Sequence, residues 1–216
     1  MFISFGLNGT LVDSLSLKKI WNEELPSFYS KKNSVDLEEA KKIVFSQYYT
    51  ARFVEGDIES SWDNLDYWLE RLGLASFKKD IETNSQKFFR IYPEVKDALQ
   101  LLKEKNSLIL MTGVNPELIE LELRSTGLVN VFDQVFSSQE ISNSAKQPRT
   151  FTKLLEILDC STDELFHVGS NYERDYLFPS SVGIVSYLMD RGNHYKEHNE
   201  FKVINLNDFI EKTRLA

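Results

Sequence analysis

The chain opens on "MFISFGLNGTLVDS", where four of the first five residues are apolar before Gly6-Leu7-Asn8-Gly9-Thr10 interrupts the run. That pattern predicts a short buried strand feeding a tight polar turn. The next stretch, residues 15–90, has helical spacing throughout. Leu17, Ile20 and Trp21 share one face, as do Trp62, Leu65, Leu69 and Leu72, and Gly73 is the expected stop.

From Pro93 the period changes. Val95, Ala98, Leu99 and Leu102 mark a helix, and "SLILMT" marks a buried strand. "NPELIELELRSTG" reads as a complete helix, with Asn115 as N-cap, Pro116 at the first helical position and Gly127 as stop. Further strands are predicted at "FDQVFSS", "LFHVGS", "GIVSYL" and "FKVINL", with a helix at "PRTFTKLLEIL" opening near Pro148. Strands alternating with helices imply an α/β fold with a parallel sheet and sites at the C-terminal strand ends. The core is assigned to residues 1–14 and 91–216, and an all-helical insert to residues 15–90.

Composition narrows the function classes. A net charge of -8 over 216 residues argues against nucleic acid as a partner, since phosphate backbones call for a basic surface. No apolar run reaches the length needed to span a bilayer, so no membrane role is expected. The N-terminus lacks a signal-peptide pattern, and the single cysteine, Cys160, fits a reducing cytoplasm.

Five segments in order carry a resemblance: "NGTLVDS", "YPEVKDALQLLKEKNSLILMTG", "STGLVNVFDQVFSSQEI", "HVGSNYERD" and "SSVGIVSYLMDRG". Together they resemble the haloacid dehalogenase superfamily, in its branch with a helical cap after the first strand. The resemblance implies a Rossmann-like three-layer core with a small cap domain. It also implies an aspartate nucleophile and, two residues on, an acid for the leaving group. The matching positions are Gly6 and Asn8. Glycine can form no aspartyl intermediate, and an amide shuttles no proton near neutral pH.

Family phosphatases also hold Mg²⁺ with the first aspartate and an acid of the fourth motif. Here that acid is replaced by Ser170, and only Asp175 remains, a vestigial metal ligand. The resemblance thus implies a binding, sensing or scaffolding protein that uses no cofactor. The rival is an active phosphatase, which would use Mg²⁺, or a 2-haloacid dehalogenase. The metal-free dehalogenases tolerate Asn8 and Ser170 but still need the aspartate that Gly6 lacks.

Thr112 matches the phosphoryl-binding hydroxyl of the second motif, and Lys146 the lysine of the third. With Gly9, Thr10 and Gly113 they form a candidate nest for a small anionic ligand. Each has a plainer alternative: Thr112 as a strand-end cap, Lys146 as a solvated loop residue, Asp175 as a helix brace, and Gly6 with Asn8 as a simple turn. His167 reads as a core residue, and His194 and His198 as loop residues. The aromatic residues Tyr48, Tyr49, Phe53, Trp62, Tyr67, Trp68, Phe77, Phe88 and Phe89 crowd the insert. Most should pack internally, and a homodimer or protein-partner surface is the second reading.

Overall fold

The computed structural model describes residues 1–55, 64–196 and 200–216. Trp62 and His198 lie outside the described residues. Six strands, β1 (Phe2–Phe5), β2 (Ser107–Thr112), β3 (Gln134–Ser137), β4 (Leu165–Gly169), β5 (Val185–Met189) and β6 (Lys202–Val203), form one sheet in the order β3-β2-β1-β4-β5-β6. Every pairing is parallel. Chain order reverses between β1 and β4, so the crevice outside their carboxyl ends is where an open sheet of this kind places a ligand. Gly6 follows β1 there and Ser170 follows β4.

The sheet is buried on both faces because successive strand residues feed different cores. Along β2, Leu108 and Leu110 join one apolar cluster, and Ile109 and Met111 join the other with Phe151, Leu154 and Ile184. In β1, Ile3 and Phe5 face the first cluster. Ser4, between them, meets His167 of β4 in register and is equally buried. A polar pair therefore sits in the middle of the sheet.

Between β1 and β2 the described chain is helical. The short α1 (Ser16–Lys19) runs through a π-helical turn, Ile20–Glu24, into α2 (Leu25–Asn33). α3 (Leu37–Tyr49) continues into a second π turn, Thr50–Val54, and α4 (Leu65–Arg71) and α5 (Lys78–Ser85) follow. Entry and exit of this segment lie side by side. Val12 bridges Ile91, the Asp13 amide donates to the Arg90 carbonyl at 2.8 Å, and the Tyr92 amide donates to the Leu11 carbonyl at 3.2 Å. Ile20, Leu65 and Trp68 belong to the same continuous apolar cluster as Phe5 of the sheet.

The remaining helices are α6 (Val95–Lys103), α7 (Pro116–Thr126), α8 (Ser138–Ser142), α9 (Pro148–Leu158), α10 (Phe178–Ser181) and α11 (Leu206–Thr213). α7 has the predicted ends: the Asn115 side chain accepts from the Glu117 amide, and Gly127 takes φ 73°. "GIVSYL" forms its strand two residues late, because Gly183 at φ 91° is still in the preceding turn. "FKVINL" pairs over only two residues. Asn205 then caps α11, a helix missed by the sequence reading.

Candidate functional site

The loop after β1 is held by its own backbone. The Gly9 amide donates to the Val12 carbonyl at 2.7 Å, and the Thr10 amide to the Leu7 carbonyl at 3.2 Å. These two N–H groups, expected to line an anion nest, are thus already satisfied by backbone carbonyls of the loop itself. Gly9 adopts φ 78°, and a Cβ there would come within 2.5 Å of the Ser170 hydroxyl. Glycine is required at this position on both counts. Ser170 in turn donates to the Asn8 carbonyl at 2.8 Å, joining the β1 and β4 loops.

Gly6 lies in the middle of this joint. A Cβ on it would lie 3.0 Å from Thr10 Oγ1, 3.3 Å from Gly169 Cα and 3.5 Å from Asp175 Oδ2. Thr10 is wholly buried, yet among the described residues its hydroxyl has no hydrogen-bond partner, and neither has Asn8 Oδ1. The Asn8 amide nitrogen donates to Glu122 Oε1 at 3.1 Å.

Lys146 is not a solvated loop residue. It is 6% exposed, and its ammonium pairs with Asp175 Oδ1 and donates to the Met111 carbonyl at 3.3 Å. Asp175 Oδ2 accepts from the Asn171 amide at 2.9 Å, so Asp175 does brace the turn Tyr172–Leu177 as well. His167 Nε2 lies 3.4 Å from Asp175 Oδ1, and its Nδ1 lies 2.9 Å from Ser4 Oγ. Lys146, Asp175, His167 and Ser4 thus form one buried polar chain running from the loops into the sheet.

Burial alone would raise the Asp175 carboxyl. The Lys146 charge, helped by His167, overrides it and holds the group well below the usual carboxylate range. Burial drives His167 below its ordinary value, and Asp175 offsets this only in part. In both cases the unfolded chain binds protons before the folded one, so stability rises with pH. The His167 contribution should be complete above about pH 6.5 and decline below it, with Asp175 adding to the loss under about pH 4. Urea midpoints from pH 7 to 4.5 should fall for the wild type and fall less for His167→Gln. Equal slopes would remove His167 from the account.

Thr112 caps its strand end: its Oγ1 accepts from the Val114 amide at 3.3 Å. Gly113 borders Ser138, whose hydroxyl would lie 3.8 Å from a Cβ at residue 113. Among the described residues, the Thr112 hydroxyl makes no hydrogen bond to the Lys146 cluster.

Two residues escaped the sequence reading. Glu122 is wholly buried on α7, three residues after Ile119 and four after Leu118, and that place on the apolar stripe was its signal. Arg191 Nη2 donates to the Thr10 carbonyl at 2.6 Å and pairs with Glu94 at 2.7 Å, with its guanidinium over the Tyr92 ring. It clamps the first loop, and only the fold brings it there.

The donor set does not fit Mg²⁺. The ion prefers charged oxygen ligands in octahedral array, whereas Gly6 offers none and Ser170 faces a carbonyl it already bonds. Asp175 already accepts at both oxygens. Among the described residues, no three His, Cys, Asp or Glu side chains converge as a metal site.

A parallel sheet in this order, with loops from β1 and β4 meeting at its switch point and a helical segment after β1, defines a Rossmann-like α/β scaffold. The family model for haloacid dehalogenase-like hydrolases matches residues 2–183, and the chain belongs to that family. It is 31% identical over 105 residues to haloacid dehalogenase-like hydrolase domain-containing protein 3 of Danio rerio, covering 47% of this chain and 43% of that protein. It is 26% identical over 151 residues to the GMP/IMP nucleotidase YrfG of Escherichia coli K12, covering 69% of this chain and 65% of that one. The chain therefore spans less than two thirds of either relative. Among solved structures, a HAD phosphatase from Thermococcus onnurineus superposes with a TM-score of 0.76 at 20% identity, covering 97% of this chain and 95% of the other.

Proposed function

We propose that this chain keeps the family's scaffold as a binding protein and does not hydrolyse phosphoesters or haloacids. The observation that carries the reading is Gly6: at the end of β1, where attack would begin, there is no side chain at all. The nearest carboxylate, Asp175, is no substitute. It is 4% exposed, its charge is balanced by Lys146, and both of its oxygens are already engaged by groups of the protein. Asn8, Thr10, Thr112, Gly113, Lys146, Ser170 and Asp175 then serve as a structural joint, and residues 15–90 as the cap that covers it. The Thr10 hydroxyl and Asn8 Oδ1, buried without a partner among the described residues, are polar groups whose hydrogen bonds a small polar ligand could complete. Exposed Phe45, Tyr49 and Phe53 on the α3 side support a partner surface, with a second copy or another protein as the occupant. Among the described residues, no helix is long and apolar enough to cross a membrane.

The second reading is an active small-molecule hydrolase, favoured by the name of the nucleotidase relative. Purified protein should be assayed with GMP, IMP, p-nitrophenyl phosphate and 2-chloropropionate, each with and without Mg²⁺. Rates are expected to equal those of the Asn8→Ala, Ser170→Ala double variant prepared identically. Turnover lost in that variant would establish the hydrolase. Calorimetry should in parallel show no Mg²⁺ binding tighter than about 1 mM, since no charged ligand pair is available.

A further inference from the structure

We propose a second ligand site, inside the helical segment and separate from the sheet, that takes a small planar aromatic acid. A cavity of about 200 Å³ is lined by Lys18, Trp21, Asn22, Tyr48 and Trp68. All five residues lie between β1 and β2, and none comes from the loops around Gly6. The site is therefore independent of whether the chain hydrolyses anything.

Its walls are aromatic and held in place. The Tyr48 and Trp68 rings meet edge to face with centroids 4.6 Å apart, and both residues are buried. The Tyr48 hydroxyl donates to the Trp21 carbonyl at 3.2 Å, fastening α3 to the turn Ile20–Glu24. That turn is π-helical, a distortion that often marks functional positions. Lys18, Trp21 and Asn22, spaced i, i+3 and i+4, share one face. The π turn lies just before Pro26, whose missing N–H interrupts the helical ladder there.

The lining chemistry selects the ligand class. An apolar cavity of about 150 Å³ stays dry and accepts benzene, so this volume admits one substituted ring or an indole but not a nucleotide. Burial pushes the Tyr48 phenol far above its ordinary value, which keeps that wall neutral. Among the described residues, Lys18 is thus the single charge on the lining. It is exposed, and among the described residues it makes no ion pair. An unpaired ammonium at the rim of an aromatic slot favours a carboxylate on the ring and repels an organic cation, despite the ring faces that would otherwise attract one. The Asn22 amide adds a neutral donor and acceptor beside it.

The test is titration of the full chain with indole-3-carboxylate, read by the tryptophan indole N–H resonances of the isotope-labelled protein and by calorimetry. Uncharged indole-3-carboxamide and benzyltrimethylammonium serve as controls. We expect saturable binding with Kd of about 0.1–1 mM, weaker binding of the carboxamide and none of the ammonium. Lys18→Glu, a surface change that leaves folding intact, should weaken the acid about tenfold and leave the carboxamide within about twofold. Trp21→Ala should abolish binding of both. If that variant fails to fold, loss of the acid-induced shift of the Trp21 indole N–H in Lys18→Glu carries the same information. No saturation by 10 mM acid overturns the proposal, as does an affinity unchanged by Lys18→Glu, or preference for the ammonium. The phosphoester and haloacid assays are read separately, so failure here and failure of the non-hydrolytic reading are distinguishable.

Discussion

Lys146→Ala should lower the unfolding free energy by about 3–5 kcal/mol, the largest loss expected from any single change at this site. Lys146 is 6% exposed and Asp175 is 4% exposed, so truncation strands a carboxylate that water cannot reach. Nearby groups compensate little. The Asn171 amide still donates to Oδ2, and His167 would have to gain a proton against its own burial to replace the lost charge. Against a typical total of about 5–15 kcal/mol, the variant should be partly unfolded at physiological temperature. Removing both charges, as in Lys146→Met with Asp175→Asn, should recover more than half of the loss, because no buried charge is then left unpaired. Urea denaturation of the two single variants and the double variant measures this coupling. Additive losses would show that the two residues act independently and that no buried charge pair is being broken.

The triple change Gly6→Asp, Asn8→Asp and Ser170→Asp should convert a magnesium-indifferent fold into a magnesium-dependent one. Gly6 has no positive φ, so an aspartate there meets no backbone penalty. Its Cβ must be accommodated 3.0 Å from Thr10 Oγ1 and 3.3 Å from Gly169 Cα, a displacement of a few tenths of an ångström. Charge is the larger obstacle. The three new carboxylates join Asp175 and Glu122, and the one introduced by Ser170→Asp would face the Asn8 carbonyl to which Ser170 now donates at 2.8 Å. Each like-charge pair at close range costs up to about 4 kcal/mol near a protein surface. In EDTA the variant should therefore melt well below the wild type. Saturating Mg²⁺ at about 100 times its dissociation constant should return about 2.7 kcal/mol by mass action, and the wild-type melting temperature should not move. Slow Mg²⁺-dependent hydrolysis of a chromogenic phosphoester should appear in the variant alone. A folded triple variant indifferent to Mg²⁺ would show that the loops are set apart for reasons beyond three missing acids.

Much of this architecture was legible in the linear chain because its determinants are local. Helix α7 begins at Pro116 after Asn115 and ends before Gly127, since capping hydrogen bonds and left-handed backbone reach only a few residues. "SLILMT" is a strand over its full predicted length, because a double-faced apolar run has no other way to bury both sides. The absence of a carboxylate at residue 6 was likewise plain, since no fold can supply a side chain that the chain lacks. α11 could have been read from Asn205 and the apolar pair Phe209 and Ile210, and was overlooked.

What the chain could not disclose is how its charges are used. In sequence, Lys146 lies in the polar run "SNSAKQPR" and Asp175 in "YERD", both ordinary surface compositions. Only the parallel pairing of β1 with β4, and the return of the chain into α9, sets these two residues against each other in the dry interior. The same applies to Arg191 on Thr10, 181 residues apart, and to Glu122 behind Asn8. Local pattern determined where helices and strands lie, because those preferences act over one or two turns. The tertiary structure alone decided which amides face inward, which cation is neutralised and which hydroxyls are left without a partner, because burial and pairing depend on distances that sequence separation does not encode.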